Sequence, residues 1–182
     1  MAQLVLLDRD GVLNEESTAY IKSPGELIMI PGSAKAVARL NRAGLKVAVC
    51  TNQSVVGRGI IPMEMLDRIH ERLARELAAE GARVDALFIC TDHPDQATRR
   101  RKPGPGMLEE ALSRFHASPA LTPMIGDNLR DLEAAAAVGC PRHLVRTGHG
   151  AKVQADGIPG AVLPVRVHDD LAAAVTALLG PE

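Results

Sequence analysis

Short apolar runs alternate along the chain with longer segments in which apolar residues recur every three or four positions. The first run covers residues 4–7 and is followed at once by Asp8 and Asp10. A continuous run of this length favours a strand buried on both faces, whereas a period of three to four favours an amphipathic helix. The pattern therefore predicts an α/β protein in which strands and helices alternate.

Glycines and capping residues mark where the predicted elements begin and end. Strands are predicted over residues 4–7, 46–50, 84–90, 122–125 and 143–145, with a further short strand near Val162. Helices are predicted over residues 34–43, 63–80, 107–115 and 130–138, and a last helix is capped by Asp169 or Asp170. This order favours a three-layer, doubly wound, Rossmann-like sheet that is mostly parallel. No segment is long enough for a large cap domain, so residues 1–182 are interpreted as one domain.

Composition narrows the choice of partners. The net charge of −1 and the aromatic content of 2% argue against nucleic-acid binding. No apolar run is long enough to span a bilayer, so we expect no membrane association. The cysteines, Cys50, Cys90 and Cys140, are widely spaced and do not resemble a disulfide framework. With no leader pattern at the start, we expect a cytoplasmic protein, and a monomer.

Polar residues gather where the predicted strands end: Asp8 with Asp10, Thr51, and Asp127 with Asp131, while Lys102 precedes a helix. The carboxyl ends of parallel strands meet at one edge of a sheet, where α/β proteins bind their ligands. Carboxylates close together there become tolerable around a hard cation such as Mg²⁺. Carboxylates, a hydroxyl and a lysine suit phosphoryl transfer. The alternative, that Asp8, Asp10 and Gly11 form only a polar turn, remains open from these residues alone.

Four segments in the right order resemble the motifs of the haloacid dehalogenase superfamily phosphatases. They are Asp8-Arg9-Asp10-Gly11-Val12-Leu13, Thr51-Asn52-Gln53-Ser54, Lys102-Pro103, and Gly126-Asp127-Asn128 through Asp131. Together they span nearly the whole chain, which makes a turn without function a poor explanation. By this resemblance, Asp8 is the nucleophile and Asp10 the general acid and base.

The same resemblance implies the remaining roles in the site. Mg²⁺ is expected to bind Asp8, the carbonyl oxygen of Asp10, and Asp127. The transferred phosphoryl group is expected to contact Thr51, Arg101 and Lys102. Substrate contacts are expected from the following residues: Asn52, Gln53, Ser54, Arg58, Arg101, Lys102 and Asn128. Some relatives have a lysine at the position of Asn128, which weakens that assignment.

Within the superfamily, the motifs are similar to those of the branch that contains histidinol phosphatases and heptose bisphosphate phosphatases. The resemblance implies a phosphorylated sugar as substrate, in the route to ADP-heptose and lipopolysaccharide. A second phosphate on that sugar is expected to contact Arg58 and the run Arg99–Arg101. Histidinol phosphate is the alternative substrate, and a non-catalytic module that binds a phosphorylated ligand is a further alternative.

The loop before Lys102 departs from this branch. Many members carry a zinc loop with Cys-x-His and then Cys-x-Cys. Here Asp92 stands where the histidine after Cys90 would be, and Thr98 and Arg100 stand at the later cysteine positions. Zinc needs four good ligands, so we do not expect zinc binding. Cys90 is interpreted as a buried thiol and His93 as a loop residue.

Two further residues are open in the sequence. His149 lies between glycines and is interpreted as a surface residue. Asp131 either caps its helix or orients Lys102, and the sequence does not choose between these roles.

Overall fold

The fold is a parallel sheet covered by helices on both faces. The structure is a computed structural model that describes residues 3–181, so residues 1, 2 and 182 of the predicted domain lie outside it. Within this range six strands pair in the order β3-β2-β1-β4-β5-β6, and every pairing is parallel. The strands are β1 (Leu4–Leu7), β2 (Lys46–Asn52), β3 (Ala86–Cys90), β4 (Met124–Gly126), β5 (Arg142–Val145) and β6 (Val165–His168).

Seven α-helices lie between or after these strands in the described part of the chain. They are α1 (Ser33–Arg42), α2 (Ser54–Gly57), α3 (Met63–Ala79), α4 (Gly106–Arg114), α5 (Leu129–Val138), α6 (Gly150–Asp156) and α7 (Leu171–Leu179). None of the described helices is long and apolar enough to span a membrane. Asp170 accepts a hydrogen bond from the amide of Ala173, which makes it the cap of α7.

The apolar run of β1 explains the three layers. Side chains alternate along a strand, so Val5 and Leu7 join the core formed with α1, α3 and α7. Leu4 and Leu6 point to the opposite face and join the core formed with α4 and α5. Because β1 is buried on both faces, it reads as a continuous apolar run. The predicted three-layer, doubly wound class is confirmed.

Several element predictions were wrong or incomplete. The last strand begins at Val165, whereas Val162 lies in a 3₁₀ turn before that strand, with its side chain buried. Helices α2 and α6 were not predicted, because both are short and begin next to glycine- or polar-rich loops. Between β1 and α1, the described residues hold only a 3₁₀ turn at Pro24–Glu26 and isolated bridges, so no cap domain is inserted there.

Candidate active site

The carboxyl ends of the central strands form the floor of a polar pocket of about 130 Å³. β1 ends directly before Asp8, and β4 ends directly before Asp127. Lys102 reaches the same place from the loop before α4. The residues that line the pocket are Asp8, Arg9, Asp10, Glu16, Ser17, Tyr20, Ile21, Asn52, Gln53, Ser54, Arg101, Lys102, Asp127, Asn128, Arg130 and His149.

Asp8, Asp127 and Asp131 form a carboxylate cluster in which one oxygen of each lies within 4.8 Å of the others. Burial and the charge of Asp131 raise the pKa of Asp8 to about 7. Burial and the charges of Asp8 and Asp131 raise the pKa of Asp127 to about 9. Close, desolvated carboxylates disfavour their common ionised form. The cluster therefore favours a bound cation, and its oxygen ligands are those that Mg²⁺ prefers.

Lys102 is the cation that the chain itself supplies to this cluster. Its Nζ lies 3.1 Å from Asp8 Oδ1 and 2.5 Å from Asp131 Oδ1, and its side chain is almost completely buried. Burial alone would lower the pKa of Lys102, but the charges of Asp131 and Asp8 outweigh burial and raise it. Lys102 is therefore protonated, with its charge directed at Asp8. The Asn52 side chain fixes the backbone of Lys102, accepting from its amide and donating to its carbonyl.

Asp131 performs both roles that the sequence left open. Its Oδ1 accepts from Lys102, and its Oδ2 accepts from the amide of Asn128 at 3.0 Å. Asn128 in turn accepts from the amide of Arg130, which completes a capping box at the start of α5. One carboxylate thus links Lys102 to the start of α5.

Asp10 has a different environment from the carboxylate cluster. The buried guanidinium of Arg9 donates to it at 2.8–3.1 Å, and Asn14 and Gln53 also donate to its carboxylate. Burial would raise the pKa of Asp10, but the charge of Arg9 and these hydrogen bonds lower it overall. On the other side, Arg9 Nη1 lies 3.0 Å from Nε2 of His70 in α3. Burial and the charge of Arg9 lower the pKa of His70 to about 4, so the ring is neutral and accepts from Arg9.

Two glycines enclose Asp127. A Cβ at Gly11 or at Gly148 would lie 2.1 Å from Asp127 Oδ2, and both residues have positive φ, +79° and +56°. The amide of His149 donates to the same Oδ2 at 2.8 Å. A side chain at either glycine would displace the carboxylate, so this close approach requires glycine.

Most of the residues that the sequence nominated come together in the pocket. Thr51 is completely buried, and its Oγ1 accepts from Gln53 Nε2 at 2.8 Å. Arg58 is exposed and is not among the lining residues. Arg99 and Arg100 form ion pairs with Glu109 and Glu110 of α4.

Several pocket residues were not anticipated from the sequence as site residues: Arg9, Glu16, Ser17, Tyr20, Ile21, Arg130 and His149. Only Arg9 had a local signal, since it lies inside the first motif. His149 was interpreted as a surface residue, but it is partly buried, and its Nε2 lies 3.8 Å from Glu16 Oε2. Glu16, Asp127 and His149 form a second group whose ligand atoms lie within 4.8 Å of one another. Its nitrogen ligand suits Mg²⁺ less well than the all-oxygen cluster.

Comparison with known proteins agrees with this geometry. The chain belongs to the haloacid dehalogenase-like hydrolases, whose family model matches residues 2–139. It is 46% identical over 177 residues to D-glycero-beta-D-manno-heptose-1,7-bisphosphate 7-phosphatase of Bordetella bronchiseptica, covering 97% of this chain and 98% of the relative. The protein of the same name from Pseudomonas putida is 42% identical, with 97% and 99% covered.

A solved structure extends the similarity to three dimensions. The crystal structure of D,D-heptose 1,7-bisphosphate phosphatase from B. bronchiseptica, complexed with magnesium and phosphate, superposes with a TM-score of 0.92. The two sequences are 46% identical, and the match covers 97% of this chain and 98% of the other. The resemblance to haloacid dehalogenase-type enzymes is therefore confirmed, and this chain is a hydrolase of that family.

Proposed function

We propose that the protein is a Mg²⁺-dependent phosphatase that removes the 7-phosphate of D-glycero-D-manno-heptose 1,7-bisphosphate. The observation that carries the proposal is the carboxylate of Asp8, which lies against Lys102 and within reach of Asp127. This is the arrangement that a carboxylate nucleophile needs to attack a charged phosphoryl group. Relatives at 46% and 42% identity carry that activity in their names and support the choice of substrate.

Asp8, Asp127 and the carbonyl oxygen of Asp10 would hold the metal. The residues fit it, because an oxygen of Asp8 and an oxygen of Asp127 lie within 4.8 Å of each other. Burial first and neighbouring carboxylates second raise the pKa of both, so a cation would favour their ionised forms. When bound, Mg²⁺ stabilises negative charge on the oxygens of the transferred phosphoryl group.

The covalent steps follow from Asp8 and Asp10. A carboxylate oxygen of Asp8 attacks phosphorus and forms an aspartyl-phosphate, while the bond between phosphorus and the sugar oxygen breaks. The lowered pKa of Asp10 keeps this carboxylate ionised, so it must first take up a proton. Asp10 then gives that proton to the sugar oxygen, which leaves as heptose 1-phosphate. Asp10 then takes a proton from water as the water attacks phosphorus, which releases phosphate and restores Asp8. Both carboxylate oxygens of Asp10 accept hydrogen bonds in this structure. At least one of these hydrogen bonds must break before Asp10 can transfer a proton.

Binding of the transferred group would fall to Lys102, Arg101 and Thr51, as the resemblance implies. Asn52 would act through Lys102, since its side chain holds the backbone of that lysine. Gln53 would act through Asp10, to which it donates at 2.7 Å. Ser54, Arg58 and Asn128 remain predicted substrate contacts.

The choice of heptose bisphosphate over histidinol phosphate rests on the relatives and on charge. Besides Arg101, which we assign to the transferred group, Arg130 lines the pocket, and its charge favours a second anionic group over the ammonium group of histidinol phosphate. The product, heptose 1-phosphate, keeps a phosphate for nucleotide transfer, so we place the reaction in ADP-heptose and lipopolysaccharide synthesis. A cytoplasmic, monomeric protein remains our prediction from the sequence.

A phosphate-release assay tests this proposal. The substrates are both anomers of heptose 1,7-bisphosphate, heptose 7-phosphate, histidinol phosphate and an aryl phosphate, each with Mg²⁺. We expect the highest kcat/KM on the β-bisphosphate, loss of activity in a chelator and recovery with Mg²⁺. Faster turnover of histidinol phosphate than of heptose 1,7-bisphosphate would contradict the proposed substrate. Binding of these esters without turnover of any of them would favour a non-catalytic module.

We further propose that the protein binds no structural zinc. At the positions where the zinc loop has its ligands, Asp92 accepts from the amide and hydroxyl of Thr98, and Arg100 pairs with Glu110. Internal contacts thus hold the loop together. Elemental analysis of protein purified without chelators should find far less than one zinc per chain, and a stoichiometric amount would contradict the proposal.

A further inference from the structure

A second cavity lies between α3 and β3, the strand at the edge of the sheet. Its volume is about 180 Å³, and it shares no lining residue with the active-site pocket. Its walls are mostly apolar and include Leu73 and Leu77 of α3, Val84 before β3, and Leu87 of β3. Leu87 is 38% exposed, which is high for a large apolar side chain in a strand. Since an apolar cavity of about 150 Å³ can bind benzene, this volume suits a molecule with one small ring.

His70 also lines this cavity, and its ring has one hydrogen-bond donor to offer. Its Nε2 accepts from Arg9 Nη1 at 3.0 Å, because a guanidinium can only donate. Burial first, and then the charge of Arg9, lower the pKa of His70 to about 4, so the neutral ring carries its proton on Nδ1. Among residues 3–181 no group accepts from this N–H, and Nδ1 is not one of the completely enclosed polar atoms. The Nδ1–H group can therefore donate to a molecule in the cavity.

The cavity has no partner for a charged ligand. The one charged side chain that lines it in the described part of the chain is Arg83, which is exposed and lies 3.7 Å from Asp85. A charged group among the leucines would lose its water without gaining an ion pair. An apolar body with one hydrogen-bond acceptor matches both the apolar walls and the Nδ1–H group of His70. These features select a small neutral molecule with a single acceptor, such as an aromatic ketone.

A molecule that binds His70 is separated from Asp10 by one side chain, that of Arg9. While Arg9 Nη1 bonds to His70, its Nε and Nη2 donate to the carboxylate of Asp10 at 2.8–3.1 Å. An acceptor on Nδ1–H polarises the ring and strengthens Nε2 as an acceptor, so the planar, rigid guanidinium is held more firmly. Under the proposed function, Asp10 must break one of its hydrogen bonds to transfer a proton. A more firmly held Arg9 makes that step slower.

We propose that the cavity between α3 and β3 is a regulatory site for a small neutral molecule with one hydrogen-bond acceptor, and that its occupation lowers turnover through His70 and Arg9. The binding part stands on the cavity alone. The effect on turnover rests on the proposed function, in which Asp10 is the general acid and base. Because the cavity and the active-site pocket share no lining residue, the bound molecule lowers kcat and leaves KM nearly unchanged.

The test uses two probes, acetophenone and ethylbenzene, which differ in the carbonyl acceptor. NMR spectra follow the ring nitrogens of His70 and the Nε–H group of Arg9 in the wild-type protein as each probe is added. Acetophenone should shift the signals of both residues saturably. It should bind about 2- to 10-fold more tightly than ethylbenzene, which is the contribution of one neutral hydrogen bond. At saturation, kcat for an aryl phosphate with Mg²⁺ should fall at least about twofold.

Two variants of α3 locate the binding site. Ala74 lines the cavity one turn after His70, and side chains in a helix point towards its N-terminus, so Ala74→Leu places the added atoms against the ring. It should abolish the acetophenone shifts and the effect on kcat. Ala79→Leu adds the same side chain to the same helix outside the cavity and should change neither. Both alanines are exposed, so both variants should fold.

Three results would overturn the inference: no saturable shift of His70, shifts that persist in Ala74→Leu, or saturated shifts of His70 with unchanged Arg9 signals and kcat. A wild-type dimer that becomes a monomer in Ala74→Leu would assign the cavity to a second copy of the chain and overturn it as well. Failure of the proposed function is a separate result, in which no phosphate ester is hydrolysed even without a probe. The signals of His70 and Arg9 still decide in that case whether the cavity binds the ketone and transmits its binding to Arg9.

Discussion

Asp8 and Asp10 are separated by one residue and are both largely buried, but their surroundings shift the pKa values of the two carboxylates in opposite directions. The pKa of Asp8 is raised to about 7, whereas the pKa of Asp10 is lowered. Burial raises the pKa of both, so the difference comes from the groups around them. The charge of Asp131 raises the pKa of Asp8, and Lys102 only partly offsets this effect. Asp10 instead faces the guanidinium of Arg9, which lowers its pKa.

The difference shows two ways in which a protein balances the charge of a buried carboxylate. Asp10 receives a cation and hydrogen bonds from the chain, so its position is complete without a ligand. The cluster around Asp8 has three carboxylates and one cation, Lys102, and under the proposed function a metal would complete it. Under the proposed function, the nucleophile Asp8 would depend on metal binding, whereas Asp10 depends on contacts made within the fold.

The largest expected effect is on the nucleophile. Asp8→Asn should lower kcat by at least about 1,000-fold, because the amide is nearly isosteric but a poor nucleophile. Without Mg²⁺, its thermal unfolding temperature should equal or exceed that of the wild type, since one of the repelling carboxylates is gone. Kinetics and calorimetry measure the two effects. Asp67→Asn, at an exposed carboxylate of α3, is the control and should change neither. Near wild-type turnover in folded Asp8→Asn would contradict the covalent mechanism.

Asp10→Asn should have the opposite effect on stability. It leaves Arg9 buried with its main partner uncharged, and breaking a buried ion pair costs about 3–5 kcal/mol. Loss of the general acid should also lower kcat by about 100- to 10,000-fold. Urea unfolding of both asparagine variants in chelator gives the comparison. If Asp8→Asn and Asp10→Asn shift the free energy of unfolding in the same direction, it is wrong that the charges of Asp8 and Asp10 have opposite effects on stability.

The pH dependence of stability should separate the two sites without mutation. The folded pKa values of Asp8 and Asp127, about 7 and 9, lie above the ordinary value of 3.8, so the folded state binds more protons between these limits. In chelator, their contribution to stability is greatest below pH 4 and is lost as the pH rises through 7 and 9. Asp10 has the opposite sign, and its contribution is lost as the pH falls below about 4.

Mg²⁺ should remove the alkaline part of this dependence. We expect it to raise the unfolding temperature more at pH 8.5 than at pH 5.5, because binding requires ionised Asp8 and Asp127. Differential scanning fluorimetry with and without Mg²⁺ measures this. A stabilisation by Mg²⁺ that is independent of pH would show that these carboxylates do not take part in binding.

The smallest expected effect comes from a substitution of His70, which contacts Arg9, the partner of Asp10. His70→Leu removes the acceptor for Arg9 Nη1 and leaves a buried donor unsatisfied, which costs about 1–3 kcal/mol. We expect kcat to fall by less than about tenfold, since Arg9 keeps its bonds to Asp10. His70→Gln, which can still accept, should recover part of the stability. An equal loss in both variants would assign His70 a role in packing alone.

The sequence by itself determined the sheet and the chemical core of the site. The apolar run of residues 4–7 favoured a strand buried on both faces, and parallel strands bring their carboxyl ends to one edge. Asp8, Lys102 and Asp127 were therefore predictable as neighbours although they lie far apart in the chain. Local patterns carry this information because strand and helix periods are set by backbone geometry.

Tertiary structure decided which charges are free and which are engaged. Arg99, Arg100 and Arg101 form one continuous run, but the placement of α4 pairs the first two with glutamates and leaves the third at the pocket. His70 reaches Arg9 across 61 residues of sequence, and its position in a helical pattern gave no sign of that contact. Whether a charged side chain can bind a ligand depends on its partners and its burial. Both depend on how distant segments pack, which the local hydrophobic pattern does not contain.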